Sequence, residues 1–287
     1  MTQARSVTSL LQDLRQHRPS SPRLIWYGTD GERVELSGRV LDNWVAKTSN
    51  LLADDLDATD ETTVLLDMGP HWRSLCWVLA AWQVGASVQL RQSGPATGGP
   101  SDPAGAAADA TGADVIVTTE PAEFADATAP PQYLVAVALG ALQMRWDGAL
   151  PPDTIDYAGE VRSHPDEYLP LSEPAPTAEA LRFGSTSIAY GQLFSGFARR
   201  DPVTGPGAEA TAAAGGAGGA GGAGGEASAD SGTVLVSASL PLAEVLQIAL
   251  DSWAGGGAVV LVHPQVAVSE SLMTSERVTS RFGPDPG

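Results

Sequence analysis

Gly184-Ser185-Thr186-Ser187 places a glycine directly before three successive hydroxyls. Such a backbone can turn tightly and offer N–H and O–H donors to an anion, so these four residues are a candidate anion contact. The same residue types also build turns and helix caps, and the sequence favours that plainer role. The four histidines, His17, His71, His164 and His263, lie far apart along the chain without an i, i+4 pair. Surface or capping roles therefore suit them better than metal ligation. Cys76 is the single cysteine, which excludes an intrachain disulfide framework and a Cys-cluster metal site. It stands in an apolar helical stretch and reads as a packed core residue, not a reactive thiolate. Gly255-Gly256-Gly257 precedes a strand-like run, so it reads as a tight turn and not as a phosphate cradle. No residue is assigned a catalytic or metal-binding role.

These residues need elements to hold them. Leu10, Leu11 and Leu14 give the N-terminal segment one apolar stripe, predicting a short amphipathic helix within residues 1–22. Residues 23–27 and 33–36 read as two strands joined by a turn at Thr29-Asp30-Gly31, and Ser37 as the N-cap of a helix reaching Leu52. A strand–helix rhythm follows: strand 62–68, helix from Pro70 to Val84, a stop at Gly85, strand 87–90, then a Pro/Gly-rich loop over 93–105. The helix carrying Trp72, Trp77 and Trp82 is apolar nearly all round, which predicts burial in the core and not a ligand shelf. A short Ala-rich helix and strands at 114–119 and 133–139 come next. Residues 147–182 hold Pro151, Pro152, Pro165, Pro170, Pro174 and Pro176 and read as an extended connection; 190–198 reads as helical. The Gly-Gly-Ala repeats of 211–225 have no side chain able to pack and read as a flexible insert, bounded as 201–231. Strand 233–238, helix 242–253, strand 258–263 and a last helix ending near Arg281 complete the order. Alternating strands and helices predict an α/β fold with a mostly parallel sheet flanked by helices, a three-layer sandwich. The predicted organisation is helix 1–22, an α/β region over 23–200, the insert, and its continuation over 232–287.

Composition limits the partners. Sixteen basic against 34 acidic residues leave a net charge of −18, which repels phosphate backbones and anionic headgroups and disfavours nucleic acid or a membrane surface. Residues 1–50 are the exception, with seven basic and five acidic side chains. Hydrophobic residues make up 43%, enough for a folded core. No signal-type apolar run opens the chain and no stretch of about 18 apolar residues occurs, so the cytoplasm is the expected compartment.

Several segments taken in order resemble the N-terminal region of the adenylate-forming (AMP-binding) superfamily. Val34 to Leu52 is similar to that family's early "Leu-Thr-Tyr-x-Glu-Leu" helix entry. Val64-Leu65-Leu66-Asp67-Met68-Gly69-Pro70 and the helix to Gly85-Ala86-Ser87-Val88 resemble its strand–"Leu-Pro-Asn"–helix–"Ala-Gly-Ala" unit, and residues 111–119 fit the next one. Residues 233–241, 253–262 and 275–279 track its later strand, its Ala-Gly-Gly strand and its "Glu-x-x-x-Val-Thr" helix. The likeness covers most of 23–280 and implies the α/β fold of that family's N-terminal subdomains.

The departures set the functional expectation. In working members a Ser/Thr/Gly-rich loop ending in Pro-Lys-Gly holds the ATP phosphates ahead of a "Leu-Thr-His-x-Asn-Leu" helix entry. Here Ser187-Ile188-Ala189-Tyr190-Gly191-Gln192-Leu193 resembles that entry, and of the loop only Gly184-Ser185-Thr186 remains, without Pro-Lys-Gly. The sequence holds one lysine, Lys47, which matches neither of the family's two lysines. The resemblance also ends before the family's aromatic–Gly–x–Thr–Glu segment, ribose-binding Asp and hinge domain. Without these charges a phosphoryl centre loses its main electrostatic stabilisation. The resemblance thus implies a non-catalytic relative with no bound cofactor, ATP or AMP binding weakly if at all. Its expected partners are a small acyl or nucleotide ligand, a second copy, or a dedicated protein partner. Two alternatives stand beside it: half of a split adenylate-forming enzyme completed by another chain, and a CoA- or acyl-binding protein.

Overall fold

The computed structural model describes residues 5–91, 103–125, 132–198, 200–203 and 232–284. In chain order the elements are α1 (Val7–Gln16), β1 (Pro22–Tyr27), β2 (Arg33–Ser37), α2 (Gly38–Asn50), β3 (Thr63–Asp67), α3 (Trp72–Val84), β4 (Ser87–Leu90), α4 (Pro103–Ala110), β5 (Val115–Thr118) and β6 (Tyr133–Ala136). They continue with β7 (Ile155–Asp156), α5 (Tyr157–Glu160), β8 (Glu179–Phe183), β9 (Thr186–Ala189), β10 (Thr233–Ser237), α6 (Leu242–Ala254), β11 (Ala258–Val262), α7 (Glu270–Ser275) and β12 (Val278–Phe282).

The strands form two sheets, where the sequence pattern predicts one. The first runs β12-β10-β11-β1-β2, parallel except for β2; the second runs β7-β6-β5-β3-β4-β8-β9, parallel except for β9. The first sheet joins residues 22–37 to residues 233–282, so the two ends of the described chain share one set of hydrogen bonds. Period-2 alternation sets the layers. Leu24, Trp26, Val259 and Leu261 of the first sheet face inward with Val64, Leu66, Val115 and Val117 of the second, and α1, α2, α3 and α6 share that core. Ile25, Leu235 and Val260 face outward onto Leu272 of α7, while Leu65 and Ile116 face outward onto Ala110 of α4 and Phe124. The result is a stack of helix, sheet, helices, sheet, helix, deeper than the expected three layers.

α3 runs through the middle of the stack. Twelve of its thirteen residues are buried, which is why its sequence is apolar nearly all round. His71 caps it, with Nδ1 accepting from the Arg73 N–H at 3.2 Å, so the helix starts two residues after Pro70. Gly85 ends it at φ +103°, a left-handed conformation that favours glycine. Ser37 caps α2 as expected, its Oγ accepting from the Val40 N–H. At the first turn of α2, an added Cβ on Gly38 would stand 2.2 Å from the Leu14 carbonyl oxygen, so glycine lets α1 close onto α2.

Several segments differ from the sequence reading. Residues 190–198 form a single 3-10 turn (Tyr190–Gln192), because Gly191 and Gly196, the latter at φ +82°, leave too few residues to nucleate a helix. The last helix ends at Ser275, and residues 278–282 are strand β12, paired with β10. Within 147–182 the chain contributes β7, α5 and most of β8, so the proline-rich stretch is a connection with strands at its ends. The expected loop over 93–105 gives way to α4 at Pro103, with its earlier part outside the described residues. The glycine–alanine run of 211–225 also lies outside them.

Candidate functional site

The Gly184-Ser185-Thr186-Ser187 run forms the turn of the β8–β9 hairpin at one edge of the second sheet. Phe183 pairs with Thr186 across a two-residue turn, and Gly184 supplies the positive φ of +55° that the turn needs. All four residues are exposed. The hairpin satisfies its own charges: Glu179 accepts from Arg182 Nε at 3.0 Å and Nη2 at 2.9 Å, and from the Ser187 hydroxyl. It is seated on α3 by the buried Trp82 indole, whose Nε1 donates to the Ala180 carbonyl at 2.7 Å, and by the Tyr190 hydroxyl, which donates to the Ala86 carbonyl at 2.8 Å. Burial raises the Tyr190 pKa, with the charges of Asp60 and Glu173 adding to it, so the phenol stays protonated. Lys47 lies elsewhere. Its ammonium is 2.6 Å from Asp166 and donates to the carbonyls of Arg162 and His164.

The second sheet has a topological switch between β3 and β5, since β4 continues on one side of β3 and β5 on the other. Open α/β sheets take ligands outside the carboxyl ends of strands at such a point. Here that crevice holds Asp67 at the end of β3, which accepts from Thr118 Oγ1 of β5 at 2.7 Å. Arg91, just after β4, lies 3.3 Å from Asp67, 3.0 Å from Asp109 and 3.0 Å from Glu123, with its guanidinium 5.4 Å from the Phe124 ring centre. Burial opposes the Arg91 charge, but the hydrogen bond to Glu123, the charge of Asp67 and the hydrogen bond to Asp109 raise its pKa overall. Sequence reasoning misses this network because its members are spread over 57 residues; the paired ends of buried-type strands are the available signal.

The remaining sequence candidates fall where packing needs them. Cys76 is fully buried and its thiol is pushed up to about 12 by desolvation, which keeps it from acting as a thiolate at neutral pH. His71 and His263, far apart in sequence, flank Trp26 with ring centres 4.6 Å and 6.1 Å from it. Desolvation, with the charges of Arg73 and His263, lowers His71 to about 3, so it stays neutral and caps α3. His263 caps locally, its Nδ1 accepting from the Gln265 N–H at 3.2 Å. His164 lies 3.1 Å from Asp55 and His17 lies 3.7 Å from Asp13. No group of three or more His, Cys, Asp or Glu among the described residues is arranged to hold a metal. No helix among them is long and apolar enough to cross a membrane.

No sequence model of a protein family matches the chain. A "TIGR03089 family protein" of Mycobacterium tuberculosis is 32% identical over 170 residues, covering 58% of this chain and 64% of that protein. Among solved structures, the Brucella canis acyl-CoA synthetase superposes with a TM-score of 0.65 at 14% identity, covering 97% of this chain and 47% of its own. The anthranilate CoA ligase AuaEII, solved with anthranoyl-AMP, gives 0.61 at 11% identity, with 91% and 44% covered. The N-terminal domain of FACL13 from Mycobacterium tuberculosis gives 0.58 at 14% identity, with 96% and 61% covered. The chain thus spans about half the length of the full synthetases and ligases it matches. With two sheets, a central helix layer and this extent of superposition, the chain has the fold of the N-terminal region of the adenylate-forming acyl-CoA synthetases and ligases.

Proposed function

We propose that this chain is a non-catalytic relative of the adenylate-forming ligases, acting through a bound small ligand or a protein partner. The β8–β9 turn carries this reading. Where the resemblance expects a loop of amides, hydroxyls and a lysine around ATP phosphates, the chain makes a two-residue exposed turn. Arg182, the nearest cation in sequence, is held by Glu179, and Lys47 is held by Asp166. Four exposed residues with Ser187 already bonded to Glu179 cannot surround a triphosphate, so ATP and AMP are expected to bind weakly. ATP–pyrophosphate exchange with fatty, aryl and amino acids tests this directly. Background turnover is expected; exchange that disappears on changing Ser185 and Thr186 would overturn it.

A second reading, in which a separate chain completes the site, starts from the fold shared with the N-terminal domain of FACL13. Exchange measured with and without co-purifying proteins separates the two readings, since only the split enzyme gains activity. A homodimer or dedicated partner fits either one. Size exclusion with light scattering reports the first, and protein recovered with the chain from its own cells reports the second.

A further inference from the structure

α1, the turn after it, α2 and residues 166–167 enclose a cleft of about 530 Å³. Its wall is fixed to α2 by Asn50, whose Nδ2 donates to the carbonyls of Pro165 at 3.1 Å and Glu167 at 3.0 Å, and by the Lys47–Asp166 pair. Asp42 of α2 lines it with a side chain only 5% exposed, and its Oδ2 accepts no hydrogen bond from the described residues. Its nearest cation is Arg15 Nη1 at 3.4 Å, an ion pair too long to fill the acceptor. An ionised carboxylate offers about four lone-pair sites, and buried polar atoms left without partners are rare. Arg39, Asn43 and Glu167 also line the cleft, and none of their side chains has a hydrogen-bond or ion-pair partner among the described residues. Among the described residues Pro19 is the only apolar one lining the cleft, a composition suited to a polar occupant and not to an acyl chain or an aromatic ring.

A buried acceptor without a donor, a free carboxylate and a free guanidinium in one cleft call for a molecule carrying both signs of charge. We propose that this cleft binds a small zwitterion of the amino-acid type, its ammonium on Asp42 and Glu167 and its carboxylate on Arg39. The site goes beyond the reading of the hairpin, because it shares no residue with the β8–β9 turn and holds whether or not the protein adenylates. The ammonium supplies the N–H donors that Asp42 lacks, and charge-assisted bonds of this kind are the strong ones.

Calorimetric titration of the full chain with L-lysine, L-arginine, L-glutamate, glycine and glycine betaine tests it. At least one amino acid is expected to bind with a Kd of about 1 mM or tighter. Glycine betaine, whose quaternary nitrogen has no N–H, is expected not to bind. Asp42→Asn is expected to weaken the amino acid about tenfold, and Arg39→Gln to weaken it while leaving a plain diamine such as putrescine unaffected. If Asp42→Asn fails to fold, the exposed Glu167→Gln serves as the second variant. The proposal is overturned if no amino acid binds, if betaine binds as well as glycine, if both acidic variants bind normally, or if only a basic peptide binds. None of these outcomes depends on pyrophosphate exchange, so failure here and failure of the non-catalytic reading remain distinct.

Discussion

The β8–β9 turn and the cleft beside α2 use the same side-chain chemistry and reach opposite physical states. In the hairpin, Glu179 accepts from two Arg182 nitrogens and from the Ser187 hydroxyl, and the turn itself stands in solvent. In the cleft, Asp42 is buried against Arg15 and, among the described residues, accepts no hydrogen bond through Oδ2. A polar group satisfied at the surface has little left to offer a ligand, whereas a buried group left short of donors gains from one. The resemblance directs attention to the first place. The physical state of the side chains directs it to the second.

The largest expected effect tests whether the hairpin is scaffold. Trp82→Ala removes a buried indole and the hydrogen bond that seats Ala180 on α3, and should destabilise the protein by about 3–5 kcal/mol in urea unfolding. A loss below about 1 kcal/mol would mean that the hairpin is not held by the core, and would reopen it as a mobile ligand loop. Next comes Gly38→Ala. A Cβ placed 2.2 Å from the Leu14 carbonyl must push α1 away from α2, at a cost of about 1–3 kcal/mol. Because α1 and α2 both line the cleft, this variant should also weaken amino-acid binding, while Trp82→Ala should leave it unchanged wherever the protein is folded.

Asp42→Asn sharpens the comparison through pH. Desolvation raises the Asp42 pKa, Arg15 opposes the rise and Glu167 adds to it; Arg39 and Asp166 are the other charges lining the cleft. A carboxyl with a raised folded pKa holds its proton longer when folded, so the folded state binds more protons than the unfolded state. Its stabilising contribution is complete below the unfolded carboxyl pKa and is lost as pH rises through the folded value. An amide in its place does not titrate. The variant should therefore match the parent at low pH and exceed it at neutral pH, by on the order of 1 kcal/mol. Denaturation midpoints across pH 3 to 8 check this. A parent that stays the more stable at neutral pH would mean that Asp42 is already well partnered.

Most elements are legible because local chemistry and burial agree. α3 is apolar nearly all round because it lies between two sheets, and Ser37, Gly85 and the 29–31 turn act where their residue types predict. The division into two sheets is not legible. β11 returns from the far end of the chain to pair Val259 with Leu24 of β1, and no period-2 pattern records a partner. Strand β12 reads as helix in the sequence because the resemblance places a family helix over residues 275–279, and its pairing with β10 makes Val278–Phe282 a strand. The hairpin is half legible: Gly184 marks a turn, but Glu179 to Phe183 looks like the end of a proline-rich connection. Asp42 is invisible as a site, because one Asp on an amphipathic helix reads as solvent-facing until α1 and residues 166–167 close over it.

The smallest expected effect is the most discriminating for the turn. Ser185 and Thr186 are exposed, and neither side chain makes a hydrogen bond among the described residues. Replacing both with Ala removes no buried area and no bonded group, so unfolding midpoints should move by less than about 0.5 kcal/mol. Gly184→Ala is the contrast within the same turn: its φ of +55° strains any residue with a Cβ, and it should cost about 1 kcal/mol. A turn that is only scaffold thus responds to backbone geometry and ignores its hydroxyls. A turn that holds phosphate does the reverse, because its hydroxyls would be bonded in the complex and ATP would raise the parent's melting temperature above that of the double variant. Thermal unfolding of parent, double variant and Gly184→Ala, each with and without magnesium ATP, separates the cases. An ATP-dependent gap between parent and double variant would return the β8–β9 turn to the role that its resemblance suggests.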